Sequence, residues 1–418
     1  RLINKISPMT KTFKLILLAF FAAGFTSCTD DVTEITDQGV PVLDESFEYQ
    51  NPQLPVGLAA ASNFINFDPE LGGPILIDNG TVGGVFVNGN TILPGSFSDI
   101  NRFVKITNEG AKLGRVLFYD KKLSLNNTIA CASCHHQDKA FADGLAVSPG
   151  FEGRQTARNS MAILNPITQN NLFWDSRSQS IHDLSLRPVQ NHIEMGMEDV
   201  EFLSKKLSET SYYTPLFKEA FGDSQVTPDR ISEALSQFIA SITTSQSKFD
   251  KLARGEGVAF TELEKMGMNL FFSAKAKCST CHAGGNFSAP DGIFDPYGGG
   301  GSAGGEDLRG TANIGLDLIP ADAGLGQGKF KIPSLRNITL TGPYMHDGRF
   351  KTLEEVLDHY TNGIKATASL DPKFKDEAGR VKPLSLSPLE KKAIVAFLGT
   401  LQDDSFTKDP KFSTPFKK

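Results

Sequence analysis

Two copies of one short motif, Cys131-Ala132-Ser133-Cys134-His135 and Cys278-Ser279-Thr280-Cys281-His282, use four of the chain's five cysteines. Cys-x-x-Cys-His is the attachment signature of c-type haem. Two thiols at this spacing can each add to one vinyl group of a single porphyrin. The adjacent histidine is then held under the ring, where its imidazole ligates iron. Other chemistries also use paired cysteines. Zinc ribbons place their Cys-x-x-Cys knuckles about fifteen to twenty residues apart. Here the pairs stand well over a hundred residues apart and each is followed by His. A thioredoxin-like pair needs a βαβ context, and none is visible; simple disulfides stay open in an exported chain. The reading is two covalently bound haem c groups, with His135 and His282 as iron ligands.

Cys28, the fifth cysteine, belongs to a leader. Lys11 and Lys14 precede an apolar run over 15–25, which ends at Thr26-Ser27-Cys28. A basic start, a short apolar stretch and small residues at the cut describe a secretory signal. The run is short for a membrane span. Cys after small residues resembles a bacterial lipobox, with Phe25 where Leu is usual, so Cys28 is expected to carry a lipid; an ordinary signal cut nearby is the alternative. Met9 is the expected start. The expected location is the periplasm or cell envelope, with the lipid anchored in the outer membrane. Charged residues are 22% and the net charge is −6, with no basic cluster, which excludes nucleic acid as a partner.

The length, 418 residues, allows two or three domains. Residues 29–104 read as a tether and irregular extension. Within it Gly72-Gly73-Pro74, Asn79-Gly80, Gly83-Gly84 and Asn88-Gly89-Asn90 suggest turns joining small strands. From about residue 105 the pattern is helical. Thr227-Pro228 opens a helix whose apolar face is Ile231, Ala234, Leu235, Phe238, Ile239 and Ile242. Thr261 with Glu264, Thr352 with Glu355 and Ser387 with Glu390 form capping boxes. Helix, haem motif, loops and terminal helix occur in that order twice. The fold class is therefore all-α: two cytochrome-c-like haem domains, 105–254 and 255–405, divided near Arg254-Gly255-Glu256-Gly257. A leader (1–28), the extension and a tail (406–418) complete the chain. A Gly-rich stretch, 297–305, reads as a surface loop.

Over 105–405 the chain resembles the bacterial di-haem cytochrome c peroxidases and their relative MauG, a di-haem oxidase. The residues that carry the resemblance are Leu113-Gly114-Arg115-Val116-Leu117-Phe118, the two haem motifs, Arg158-Asn159-Ser160, Phe173-Trp174-Asp175, Pro333-Ser334-Leu335-Arg336-Asn337 and Gly342-Pro343-Tyr344-Met345-His346-Asp347-Gly348. The resemblance implies that peroxide reacts at the first haem and that the second stores and delivers electrons. It implies Trp174 as an electron relay between them and Glu194 as the distal acid–base carboxylate. Peroxide must lose a proton from one oxygen and gain one on the other before its O–O bond breaks. Standing alone, Glu194 would read as a solvated carboxylate and Trp174 as a core residue; His192 reads as a surface histidine. A calcium ion is implied too, on the Asn159 side chain and the Thr341 and Pro343 carbonyls, oxygen donors that suit a hard cation. Relatives are often dimers, so a homodimer is among the family's expectations.

Three positions depart from the peroxidase pattern. Resting peroxidases carry a sixth-ligand His sixteen residues after the first haem His; here the count from His135 reaches Phe151, which cannot ligate iron. An open first haem is expected. The pattern's Met, fourteen residues after the His of Pro-Tyr-x-His, is replaced by Tyr360. Leu353, Val356, Leu357 and Tyr360 share one helical face, so Tyr360 points inward; it is the expected second-haem ligand, with Met345 as rival. Leu184 stands where the family usually has Gln near the peroxide pocket. Three functions follow. One is a cytochrome-c-type peroxidase reducing hydrogen peroxide with electrons from a small cytochrome or cupredoxin. The second is a MauG-like oxidase that uses high-valent iron on a protein or organic substrate. The third is a plain electron carrier.

Overall fold

The computed structural model describes residues 38–43, 45–55, four short strands between 65 and 91, 104–169, 171–178, 180–288 and 310–416. The leader with Cys28 and the Gly-rich stretch 297–305 lie outside the described residues. The helices are α1 (Asn108–Tyr119), α2 (Ile181–Gln190), α3 (Val200–Ser208), α4 (Tyr213–Phe221), α5 (Pro228–Ser241), α6 (Lys248–Ala253), α7 (Glu262–Phe272), α8 (Leu353–Asp358) and α9 (Pro388–Gly399). Among the described residues strands occur only as short antiparallel pairs. β1 (Ile65–Asp68) pairs with β2 (Gly73–Leu76) and β3 (Phe86–Val87) with β4 (Asn90–Thr91). β5 (Thr311–Ala312) pairs with β6 (Phe330–Lys331). Among the described residues no helix is long and apolar enough to cross a membrane.

The first core forms where α1 crosses α5. The Thr107 side chain caps α1 by accepting from Gly110 N, and the Thr227 side chain caps α5 by accepting from Arg230 N, with Pro228 at its first position. Leu113, Val116 and Leu117 on α1 meet Ile231, Leu235 and Phe238 on α5, all 0% exposed. Each such side chain contributes about 1.5–3 kcal/mol by leaving water, so packing rather than helix propensity holds the pair. The two helices approach most closely at Gly114, where a Cβ would lie 1.9 Å from the Ala234 carbonyl oxygen.

A second core repeats this design. α7 crosses α9, and both helices open with the expected capping boxes, Thr261 with Glu264 and Ser387 with Glu390. A Cβ on Gly267 would lie 1.9 Å from the Ala393 carbonyl oxygen. Phe249, Phe271, Phe287 and Phe397 fill this core, mostly edge to face. Beneath them the Arg336 guanidinium grips both oxygens of Asp250 at 2.7 and 2.9 Å, with both side chains fully buried.

Both cores belong to one compact unit that begins at Gln38. A buried polar junction joins them. Asn165 Oδ1 accepts from Thr244 N (2.8 Å), Asn337 Nδ2 donates to Thr244 Oγ1 (3.0 Å), and Asn337 Oδ1 accepts from Asp403 N (2.7 Å). The segment after residue 405, read from sequence as a tail, returns to the first core and places Phe406, Phe412 and Phe416 in it. Arg115 on α1 holds it by donating to the Ser413 and Pro410 carbonyls at 2.6 and 3.0 Å. Tyr49, from the stretch read as irregular extension, is buried in the same core and donates its hydroxyl hydrogen to the Lys411 carbonyl at 2.7 Å.

Candidate functional site: two cavities that share a wall

Each Cys-x-x-Cys-His motif forms one tight helical turn after a core helix. His135 N donates to the Cys131 carbonyl at 3.0 Å, and His282 N to the Cys278 carbonyl at 2.8 Å. The His135 Nδ1–H donates to the Phe141 carbonyl at 2.7 Å. A carbonyl can only accept, so this bond fixes the tautomer and leaves Nε2 as the lone-pair donor. His282 does the same, with Nδ1 between the Phe287 and Pro333 carbonyls at 3.1 and 3.2 Å. Burial lowers both imidazole pKa values, that of His282 to about 4, so both rings are neutral and fit to bind a metal. The four cysteines are free of disulfides. Burial pushes the Cys131 and Cys278 thiols up to about 12 and Cys134 to about 11. Buried in apolar surroundings, these thiols are held in the neutral form by the chain alone.

The first motif opens into a cavity of about 780 Å³. Cys131, Cys134 and His135 line it, and so do Glu194, Trp174 and Leu184. Asn191 Nδ2 donates to Glu194 Oε1 at 3.2 Å. Burial raises the Glu194 pKa, opposed by the positive charge of Arg177, which lines the same cavity. Phe151 is absent from this lining; its ring packs against Gly196 instead. His192 is exposed, as expected.

The second motif opens into a narrower cavity of about 220 Å³, lined by Cys278, Cys281, His282, Tyr360 and Met345. Tyr360 lies in a π-helical turn, His359–Gly363, that follows α8; such turns often mark functional positions. Its ring stacks on Phe374 at 5.6 Å, and burial raises its phenol well above the ordinary value. Both expected ligand candidates, Tyr360 and Met345, therefore face the cavity. A third group was not foreseen. His346 also lines it, its ring stacked on Phe330 at 3.7 Å and its buried Nδ1 without a hydrogen-bond partner among the described residues.

Trp174, Gln169 and Lys331 line both cavities and, with the 159–162 segment and Leu164, form their common wall. The Trp174 indole N–H donates to the Asn159 carbonyl at 3.0 Å. Asn159, Thr341 and Pro343 all line the second cavity, and Asn159 lines the first as well. Asn159 Nδ2 donates to the Leu145 carbonyl at 2.7 Å, which commits its nitrogen and leaves Oδ1 for another partner. Among the described residues no group of three or more His, Cys, Asp or Glu is arranged for a metal ion. A cation beside Asn159 would rest on neutral amide and carbonyl oxygens, which fit calcium. Arg177, Gln169 and Lys331 escaped the sequence reading because single polar residues outside a motif carry no local signal.

Comparison with known proteins places this geometry. The family model for di-haem cytochrome c peroxidase matches residues 108–257. The methylamine utilization protein MauG of Methylophilus methylotrophus is 33% identical over 297 residues, 71% of this chain and 83% of that protein. The cytochrome c551 peroxidase of Nitrosomonas europaea is 34% identical over 310 residues, 73% of this chain and 82% of that protein. Among solved structures, a MauG-like protein associated with microbial copper homeostasis superposes with a TM-score of 0.68 at 32% identity, over 78% of this chain and 98% of that one. The diheme peroxidase BthA of Burkholderia thailandensis shares the fold, with a TM-score of 0.59 at 19% identity. The chain belongs to the di-haem cytochrome c peroxidase and MauG family of c-type cytochromes.

Proposed function

We propose that this protein reduces hydrogen peroxide to two molecules of water, taking two electrons from a small cytochrome or cupredoxin and two protons from solvent. The observation that carries this reading is the shared lining of the first cavity: His135, its Nδ1–H committed to the Phe141 carbonyl, and the carboxylate of Glu194. Haem bound at Cys131 and Cys134 would supply the iron that passes electrons to the O–O bond. The chain supplies the rest. Glu194 takes the proton from one peroxide oxygen and returns it to the other, and Asn191 holds the carboxylate in place. Trp174, in the wall between the cavities, is the electron relay. Cys278, Cys281 and His282 would hold the second haem, Tyr360 would be the further side chain offered to its iron, and Asn159, Thr341 and Pro343 would hold calcium. The protein works in the periplasm or cell envelope, tethered through a lipid on Cys28.

A second reading is supported by two side chains. Tyr360 in the second cavity and Phe151 outside the first fit a MauG-like oxidase that acts on a protein or organic substrate. Hard anionic phenolate favours oxidised iron, which suits stored oxidising equivalents better than rapid turnover. A carrier without chemistry would need no carboxylate in the first cavity. Steady-state turnover of peroxide with reduced cytochrome c decides between the first two. Sustained turnover supports the peroxidase. Negligible turnover, with a long-lived protein oxidised by two equivalents, overturns it in favour of the oxidase.

A further inference from the structure

Lys331 is a buried cation that the scheme above leaves unused. Its side chain is 5% exposed. The backbone holds it firmly: Lys331 N donates to the Trp174 carbonyl at 2.7 Å, and Lys331 pairs with Thr311 across β5 and β6. Successive residues of a strand point to opposite faces. Phe330 stacks on His346 beside the second cavity, whereas the Lys331 side chain lies in the wall common to both cavities.

Among the described residues the ammonium has one partner, the Gln169 side-chain oxygen, which is neutral. Among the described residues no carboxylate forms an ion pair with it. Burial alone pulls its pKa down to about 8. A desolvated ammonium is costly unless an anion faces it, and the described residues offer none at this position. Each haem c brings carboxylates of its own on its propionate arms. Among the described residues lining both cavities, Lys331 is the one cation, and Gln169 is its polar partner.

We propose that Lys331 is the shared counter-charge of the two cofactors: its ammonium pairs with a haem propionate and its positive charge acts on both irons. This rests on haem occupying both cavities. It adds to the reading above an electrostatic coupling between the sites, in which one side chain raises both reduction potentials. A positive charge in a low-dielectric wall favours the ferrous over the ferric state of each neighbour.

Potentiometric titration of the holoprotein tests this without peroxide, so its outcome is independent of whether the protein turns peroxide over. In Lys331→Gln both midpoint potentials fall, and in Lys331→Arg both stay near those of the parent. Unchanged potentials in Lys331→Gln, with a lowered melting temperature in both variants, make Lys331 a packing residue and overturn the proposal. A shift confined to one haem overturns the sharing. Should Lys331→Gln not load haem, resonance Raman spectra carry the test. The propionate bending bands move between the parent and Lys331→Arg if the side chain is their partner, and identical bands overturn it.

Discussion

The Phe151 ring lies against Gly196, where an added Cβ would come within 2.9 Å of the ring carbons. The Phe151 N–H is shared between the Ile193 and Glu194 carbonyls at 2.7 and 3.0 Å, and the Arg154 guanidinium covers the ring at 5.7 Å. Phe151 thus braces the segment that carries Glu194 and leaves the first cavity to other groups. The resting ferric protein should show one high-spin and one low-spin electron paramagnetic resonance signal. Phe151→Ala should cost about 3–5 kcal/mol of stability through the space it empties and still keep the high-spin signal. Two low-spin signals in the parent would refute an open first haem.

Glu194 sits in that cavity with its pKa raised by burial. The fold disfavours its ionised form. Its contribution to stability is therefore fully present at acid pH, below the unfolded value, and is lost as pH rises through the raised folded value. Glu194→Gln removes that loss, so its melting temperature should gain on the parent at neutral and alkaline pH and not at acid pH. Peroxide cleavage in the same variant should slow by about 10²–10⁴-fold. In the parent, the rate should rise with pH through an inflection above the usual carboxylate range. A parent-like rate in Glu194→Gln would remove the carboxylate from the chemistry.

Burial raises the Tyr360 phenol so far that it stays protonated unless a nearby cation draws the proton off. Iron in the second cavity is such a cation. Tyr360→Phe should therefore alter the low-spin signal and raise the midpoint potential of the second haem, because a hard anionic donor is lost. An unaltered signal would return the ligand to Met345 or His346, which face the same cavity.

What the sequence disclosed and what it hid follow one physical division. Local signals were legible: the haem motifs, the capping boxes at Thr261, Thr352 and Ser387, and the apolar face of α5. Each depends on residues within one or two turns of each other. Glu194 and Trp174 could be singled out only through the family, since each looks ordinary in its own neighbourhood. The common wall was not legible. Lys331 and Gln169 meet across more than a hundred residues of chain, and an isolated Lys in a short strand reads as a solvated side chain. The role of Phe406, Phe412 and Phe416 was hidden for the same reason, because their ring partners are Phe141 after the first haem motif, Phe238 on α5 and Tyr212 just before α4.

Gly114 and Gly267 mark equivalent crossings, and each stands behind its own cavity. Phe118 on α1 and Ile239 on α5 line the first cavity; Phe271 on α7 and Ile394 on α9 line the second. Replacing either glycine by Ala gains up to about 1 kcal/mol in helix propensity. Against this, the new Cβ meets a backbone carbonyl oxygen at 1.9 Å, and backbone cannot rotate aside. The helices must separate, and overpacking of this kind costs about 1–3 kcal/mol or more. Both variants should therefore melt below the parent. The spectral consequences should divide: Gly114→Ala disturbs the high-spin signal of the first haem, and Gly267→Ala the low-spin signal of the second. If either substitution moved both signals together, the two cores would not be supporting their cavities separately, and the polar junction at Thr244, Asn337 and Asp403 would be passing strain between them.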